Sequence, residues 1–211
     1  MRENSSREIV LKKIREALIN STPLPFPSSE GSDNLYPQQQ EDPAIEFAAV
    51  FTRLQGKFSF CRNNEELVSQ VNELIAAMKW TRVYCVEPVL TGLFSDSPLN
   101  SAGNSTLADC DASITSCEYL VARTGTIVLS SAGESGRTVS VYAPVHICIA
   151  WSSQLLYDVK DALKALSKKY GSELPSFISF ASGPSRTADI EKTLVTGVHG
   201  PKEVYVFLVD Q

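Results

Sequence analysis

Near the end of the chain, Val204-Tyr205-Val206-Phe207-Leu208-Val209 forms an unbroken apolar run. A strand with one wet face alternates polar and apolar residues, so a continuous run marks a strand buried on both faces, inside a sheet covered by helices. Phe177-Ile178-Ser179-Phe180 reads the same way, and further strand-like segments fall at 57–61, 82–86, 126–130 and 145–150. Between them lie helical stripes. Leu67, Val68, Val71, Leu74, Ile75 and Met78 follow Asn63 and Glu66, which have capping-box spacing. A second stripe, Leu155, Val159, Ala162, Leu163, Leu166 and Tyr170, predicts a helix over about 154–170 that Gly171 ends. Strands alternating with helices predict an α/β fold: an open, mainly parallel sheet flanked by helices.

The N-terminal part is organised differently. Residues 6–19 read as a short amphipathic helix with Val10, Ile14, Ala17 and Leu18 on one face. A stretch rich in Pro, Ser and Gln follows from Ser21 to Gln40, where proline removes donors and favours extended backbone. Residues 1–41 are therefore expected to be a helical arm and linker, and 42–211 the α/β domain. Asp42-Pro43 is a helix start, with Asp as cap and Pro in the first turn. Phe47, Phe51 and Leu54 mark its buried face before Gly56 stops it. A polar connection rich in Ser, Asn and Gly spans 91–106.

Composition narrows the function classes. With 211 residues, 43% hydrophobic and 20% charged, the chain is an ordinary globular size and type. A net charge of −5 argues against nonspecific nucleic-acid binding, which needs a clustered basic surface. No apolar run approaches the roughly 20 residues of a membrane span. Met1–Ser6 has no apolar signal-peptide core, so the cytoplasm is the expected location. Five cysteines stand at 61, 85, 110, 117 and 148 with no Cys-x-x-Cys, a pattern that suggests neither a zinc site nor an iron–sulfur cluster. Cys61, Cys85 and Cys148 lie in or beside strand-like runs and read as small hydrophobes; Cys110 and Cys117 are close enough in sequence to approach each other.

In an open parallel sheet, ligands bind beyond the carboxyl ends of the strands. Those ends here are Glu87-Pro88, Ser130–Thr138, Trp151–Ser153 and the loop opening at Gly183. Two of the four are loops of small residues carrying an arginine. Loop amides converge on oxygen atoms, and arginine adds a two-pronged donor for carboxylate or phosphate. Gly136, Arg137, Gly183, Ser185, Arg186 and Thr187 are thus candidates for an anion pocket. The rival reading makes both arginines surface residues or partners of Asp189. In Gly183–Glu191, Thr187 is a candidate N-cap for a helix over 188–194, with Asp189 and Glu191 favoured by its dipole. His199, flanked by glycine loops, is a candidate acid/base or a residue holding its loop by hydrogen bonds. A helix over 188–194 returns only about 10 Å against about 20 Å for a six-residue strand, so whether His199 joins Arg186 stays open. His146 reads as buried and structural, and Lys164, Lys168 and Lys169 as solvated.

Three segments also carry a family likeness. Gly183-Pro184-Ser185-Arg186-Thr187-Ala188-Asp189-Ile190-Glu191, then Gly197–Glu203 with the apolar run after it, and Cys117–Leu129 upstream resemble the LUD domain, the lactate-utilisation protein C family. Gly136-Arg137 and Ala143–His146 belong to the same likeness, which covers roughly 108–210. It implies a fold similar to the NagB/RpiA/CoA-transferase-like group. It also adds Arg123, Thr124, Gly125, Gly200 and Lys202 to the candidate ligand-binding residues. One position departs: the family motif carries glutamate before Thr-Gly, where this chain has Arg123. That exchange reverses the charge and removes a potential acid or nucleophile. Glu134 or Glu118 is then a candidate replacement carboxylate, and Glu134 and His199 are the candidate catalytic residues.

The resemblance implies a non-redox subunit that contributes to oxidation of L-lactate to pyruvate beside iron–sulfur oxidoreductase partners and binds a small anionic metabolite. No metal site or cofactor is identified. Two alternatives stand: a self-sufficient enzyme acting on a sugar phosphate, CoA thioester or folate, and a binding or sensing module whose N-terminal helix contacts a partner. The first requires turnover by the isolated chain; the second requires that loss of residues 1–40 abolish association.

Overall fold

The computed structural model describes residues 6–19, 41–95, 97, 106–188, 194–197 and 199–210. The chain divides into two units, Met1–Gln38 and Gln39–Gln211. Of the first, the described part is one helix, α1 (Ser6–Ile19), on the segment where the apolar spacing predicts it.

The second unit opens with α2 (Pro43–Arg53), whose N-cap Asp42 accepts the Ala44 amide at 2.8 Å. Then come β1 (Lys57–Cys61), α3 (Asn64–Met78), β2 (Val83–Tyr84) and α4 (Pro88–Leu93). The central stretch contributes β3 (Ala112–Thr115), β4 (Tyr119–Val121), β5 (Thr126–Ser130), α5 (Val139–Tyr142), β6 (Val145–Trp151) and β7 (Leu155–Leu156). The last part holds α6 (Val159–Tyr170), β8 (Ile178–Ala181), β9 (Arg186–Ala188), β10 (Leu194–Thr196) and β11 (Glu203–Val209).

Five strands form one sheet in the order β1-β11-β6-β3-β2, every pair parallel. Alternation along β11 shows why its run is apolar throughout. Tyr205, Phe207 and Val209 face a core with Leu67 and Val71 of α3, while Val204, Val206 and Leu208 face a second core with Phe47 and Phe51 of α2. Each such fully buried side chain contributes about 1.5–3 kcal/mol. A second sheet, β7-β4-β5-β8, lies over the second core. Its β4–β5 and β5–β8 pairs are antiparallel, and its outer face packs on Ala162 and Leu166 of α6.

Three expectations need correction. Residues 177–180 are not a doubly buried strand: β8 is an edge of the second sheet, and Phe177 and Phe180 are 36% and 39% exposed. A short apolar run reads alike at a sheet centre and a sheet edge. The helix expected over 154–170 begins at Val159, capped by Asp158, because Leu155 and Leu156 pair with β4; Leu163 is exposed. The helix expected over 188–194 is absent at both ends, since β9 and β10 pair antiparallel with Thr187 opposite Val195. Thr187 is thus a strand residue rather than an N-cap, and Asp189 and Glu191 lie outside the described residues. β-Branched Thr187, Val195 and Thr196 suit a ladder better than a helical turn. β3 and β4 lie outside the strand-like segments named from sequence. In β3 two hydroxyls are buried, and each has a partner: Ser113 Oγ donates to the Val139 carbonyl at 2.8 Å, and Thr115 Oγ1 to the Ser116 carbonyl at 2.9 Å.

Candidate functional site

The parallel sheet directs the chain after β2 and after β3 to the same edge, and there a cavity of about 350 Å³ opens. Glu87 enters it from the end of β2, and Ser116, Cys117 and Glu118 from the end of β3. The Ser/Gly loop after β5 supplies Gly133, Ser135 and Gly136, and the last turn of α6 supplies Lys169 and Tyr170.

Two carboxylates dominate the walls, in different electrostatic settings. Both oxygens of Glu87 lie 3.1 Å from the Ser116 amide, and Oε1 also accepts the Ser135 hydroxyl at 2.6 Å. No lysine or arginine among the described residues forms an ion pair with it. Glu118, its side chain 8% exposed, accepts from Ser130 Oγ at 2.5 Å, Tyr170 OH at 2.6 Å and Lys169 Nζ at 2.7 Å. Burial alone would raise its pKa, but those donors together outweigh burial and hold it below the usual carboxylate value. The same pair raises the Lys169 pKa.

Behind this wall His146 is 2% exposed, and burial lowers its pKa to about 4, so the imidazole is neutral. Its Nε2 lies 2.8 Å from Thr115 Oγ1. Because the threonine proton goes to the Ser116 carbonyl, the network assigns the ring proton to Nε2. His146 is buried and structural, as its sequence setting suggests: it steadies the strand end that presents the Ser116 amide to Glu87. Cys148, beside it on β6, hydrogen-bonds to Cys117, and that bond with burial keeps its thiol well above the usual range. Cys117 therefore meets Cys148; all five cysteines are free thiols.

The residues singled out from sequence gather elsewhere. The Gly183–Arg186 loop sits at the amino end of β11: the Ser185 amide donates to the Pro201 carbonyl at 3.0 Å and the Gly197 amide to Ser185 at 2.9 Å. Gly183 has a φ of +82°, and a Cβ there would lie 2.6 Å from the Leu54 carbonyl oxygen, so only glycine fits. Arg186 donates to that same carbonyl, the C-cap of α2, and lines none of the cavities described. His199, Gly200 and Lys202 border a separate cavity of about 420 Å³ that shares no lining residue with the first. Backbone bonds thus bring the Arg186 and His199 loops together, but not their side chains into one site. Arg123 pairs with Asp158 at 2.7 Å, their side chains 20% and 11% exposed. Thr124 shares a 2.7 Å hydrogen bond with Thr126. Gly125, at φ +55°, lets α2 approach to where a Cβ would lie 2.8 Å from the Phe51 nitrogen. Arg123-Thr124-Gly125 is in this structure a packing joint against α2.

The loop after β5 is divided. Gly136 lines the first cavity, whereas Arg137 is exposed on the same loop and donates to Ser176 Oγ at 2.6 Å; Glu134 is exposed and lines neither cavity. Sequence reasoning located the Glu87 strand end but not its role, and it passed over Ser116, Lys169 and Tyr170. Lys169 looked like one of three solvated lysines on a helix face. The Glu118 carboxylate, distant in sequence, distinguishes it.

A parallel sheet backed by a mixed one, with a cavity at its carboxyl edge, defines the class: a mixed α/β fold. The chain belongs to the LUD domain family, whose profile matches residues 93–209. It is 41% identical over 104 residues to Lactate utilization protein C of Halalkalibacterium halodurans, covering 48% of this chain and 45% of that protein. It is 33% identical over 118 residues to Lactate utilization protein C of Deinococcus radiodurans, covering 56% and 53%. The matches thus span about half the length of these curated relatives. The fold is similar to a crystal structure of a DUF162 family protein from Deinococcus radiodurans, with TM-score 0.60, 19% identity, and coverage of 82% of this chain and 99% of that one. No helix among the described residues is long and apolar enough to cross a membrane.

Proposed function

We propose that this chain is a lactate-utilisation protein C-type component of the cytoplasm. In this reading it contributes to oxidation of L-lactate to pyruvate beside iron–sulfur oxidoreductase partners. The observation that carries the reading is the 41% identity to Lactate utilization protein C over 104 residues, beside a family profile over 93–209 that includes the cavity walls from β3 onward. Its task there is to bind a small anionic metabolite. Support for the binding site is strongest at the Glu87–Glu118 cavity, where Lys169 lines the wall and Gly136 and Arg137 share the bordering loop. Arg186, Arg123, Lys202 and His199 lie outside it, and their proposed contribution is to hold loops and strand ends.

The test is anaerobic capture of the tagged full chain from its native cells, with visible absorption and lactate-dependent dye reduction read on the eluate. The expected result is a coloured, lactate-active assembly containing cysteine-rich partners. A colourless eluate of this chain alone, with those partners expressed, overturns the subunit role. Turnover of a sugar phosphate or CoA thioester by the isolated chain would replace it with a self-sufficient enzyme.

A further inference from the structure

The two carboxylates of the cavity offer a ligand different things. Glu118 is matched by a cation and two hydroxyl donors, and its charge is neutralised in place. Glu87 accepts one amide and one hydroxyl but no ammonium or guanidinium among the described residues, so its charge and its remaining lone pairs face the cavity. Lys169 is half-exposed, and its ammonium has three protons; Glu118 and Tyr170 engage it from one side and leave a donor for a ligand.

We infer that this cavity binds a small hydroxy acid, its hydroxyl donating to Glu87 and its carboxylate meeting Lys169, and that Glu87 selects the hydroxy acid over the corresponding keto acid. The orientation follows from charge. A ligand carboxylate set against Glu87 is repelled at short range, whereas the Lys169–Glu118 pair offers it an N–H donor and no net charge. The selectivity follows from hydrogen-bond polarity. A carboxylate only accepts; a hydroxyl donates to it, but a keto oxygen also only accepts, leaving two acceptors facing each other without a proton. Sites built to pair with a substrate hydroxyl reject analogues that lack it far more strongly than apolar pockets reject a missing methylene. The volume of about 350 Å³ is near the lower end of the range for metabolite sites, roughly 300–1,000 Å³, and admits a small acid with ordered water. The choice of L-lactate and pyruvate as the probe pair rests on the lactate-utilisation reading.

The experiment is calorimetric titration of the full chain with L-lactate and with pyruvate at neutral pH. L-Lactate is expected to bind about tenfold tighter or more. Glu87→Gln, whose amide both donates and accepts, brings the two affinities together, and Lys169→Ala weakens both acids by a similar factor. Thermal melts of the variants establish that they fold, and the wild-type ratio is decisive even where one does not. Equal or tighter pyruvate binding, an unchanged ratio in Glu87→Gln, or no binding of either acid at tens of millimolar overturns the inference. Lactate binding without a lactate-active assembly would keep the site and reject the proposed role; an active assembly whose isolated subunit ignores both acids would do the reverse.

Discussion

The two edges of the parallel sheet carry opposite kinds of sequence. At the amino edge of β6 and β11 lie the conspicuous motifs, Gly183–Arg186 and Gly197–Lys202, and there they bond mainly to the chain itself. Ser185 bridges to Pro201 and Gly197, Lys202 donates its amide to the Pro144 carbonyl, and Arg186 caps α2. At the carboxyl edge the residues are plain, Glu87, Ser116, Glu118 and Lys169, drawn from three distant segments, and they line a cavity. The contrast teaches that a glycine-rich motif with an arginine marks a place where the backbone must approach something closely. Here that something is the protein's own helix end.

Breaking the amino edge should therefore cost stability and leave binding alone. Gly183→Ala forces a side chain into φ +82° and against the Leu54 carbonyl, with an expected loss of about 3 kcal/mol in urea unfolding. The fraction that folds should bind L-lactate as the wild type does.

Next in size is the pH response of His146, which supports the carboxyl edge. Its pKa falls from 6.5 to about 4 on burial, so between those values the unfolded chain takes up a proton that the folded chain refuses. The corresponding stability is present above pH 6.5 and lost as pH falls toward 4, about 3 kcal/mol at 1.36 kcal/mol per unit. Unfolding free energies measured across that window should lose this slope in His146→Gln; an unchanged slope would place the acid sensitivity elsewhere.

Arg123→Ala removes a mostly buried partner of Asp158 and should cost about 2 kcal/mol, reduced from the fully buried case because both groups keep some solvent. If it instead weakened ligand binding, the packing joint at α2 would have to be counted as part of the site.

The smallest effect belongs to Arg186→Ala. Losing one exposed cap on the end of α2 should cost about 1 kcal/mol or less, with lactate affinity unchanged in the same titration. A loss of affinity there would move the ligand site to the amino edge and reverse the comparison.

Much of the fold was legible because it depends on local patterning. Helices α2 and α3 begin at the caps Asp42 and Asn63 that the sequence advertises, and the unbroken run of β11 announces burial on both faces. The reading failed where pairing partners decide. β8 and β11 look alike in sequence, yet one lies at the edge of a mixed sheet and the other beside the centre of a parallel one. The β9–β10 ladder replaced a helix whose only support was a cap and two acids. Lys169 is set apart from Lys168 by Glu118, 2.7 Å from its ammonium.

The sequence by itself determined the α/β class, the main helices, the doubly buried last strand and the interior setting of His146. These follow from periodicity, capping and burial, which act over a few residues. The tertiary structure alone decided which strand ends share an edge. It therefore also decided that Glu87, Ser116, Glu118 and Lys169 form one cavity while Arg186 does not. Parallel pairing between distant strands is set by the packing of whole faces, and no local spacing encodes which loops that packing brings together.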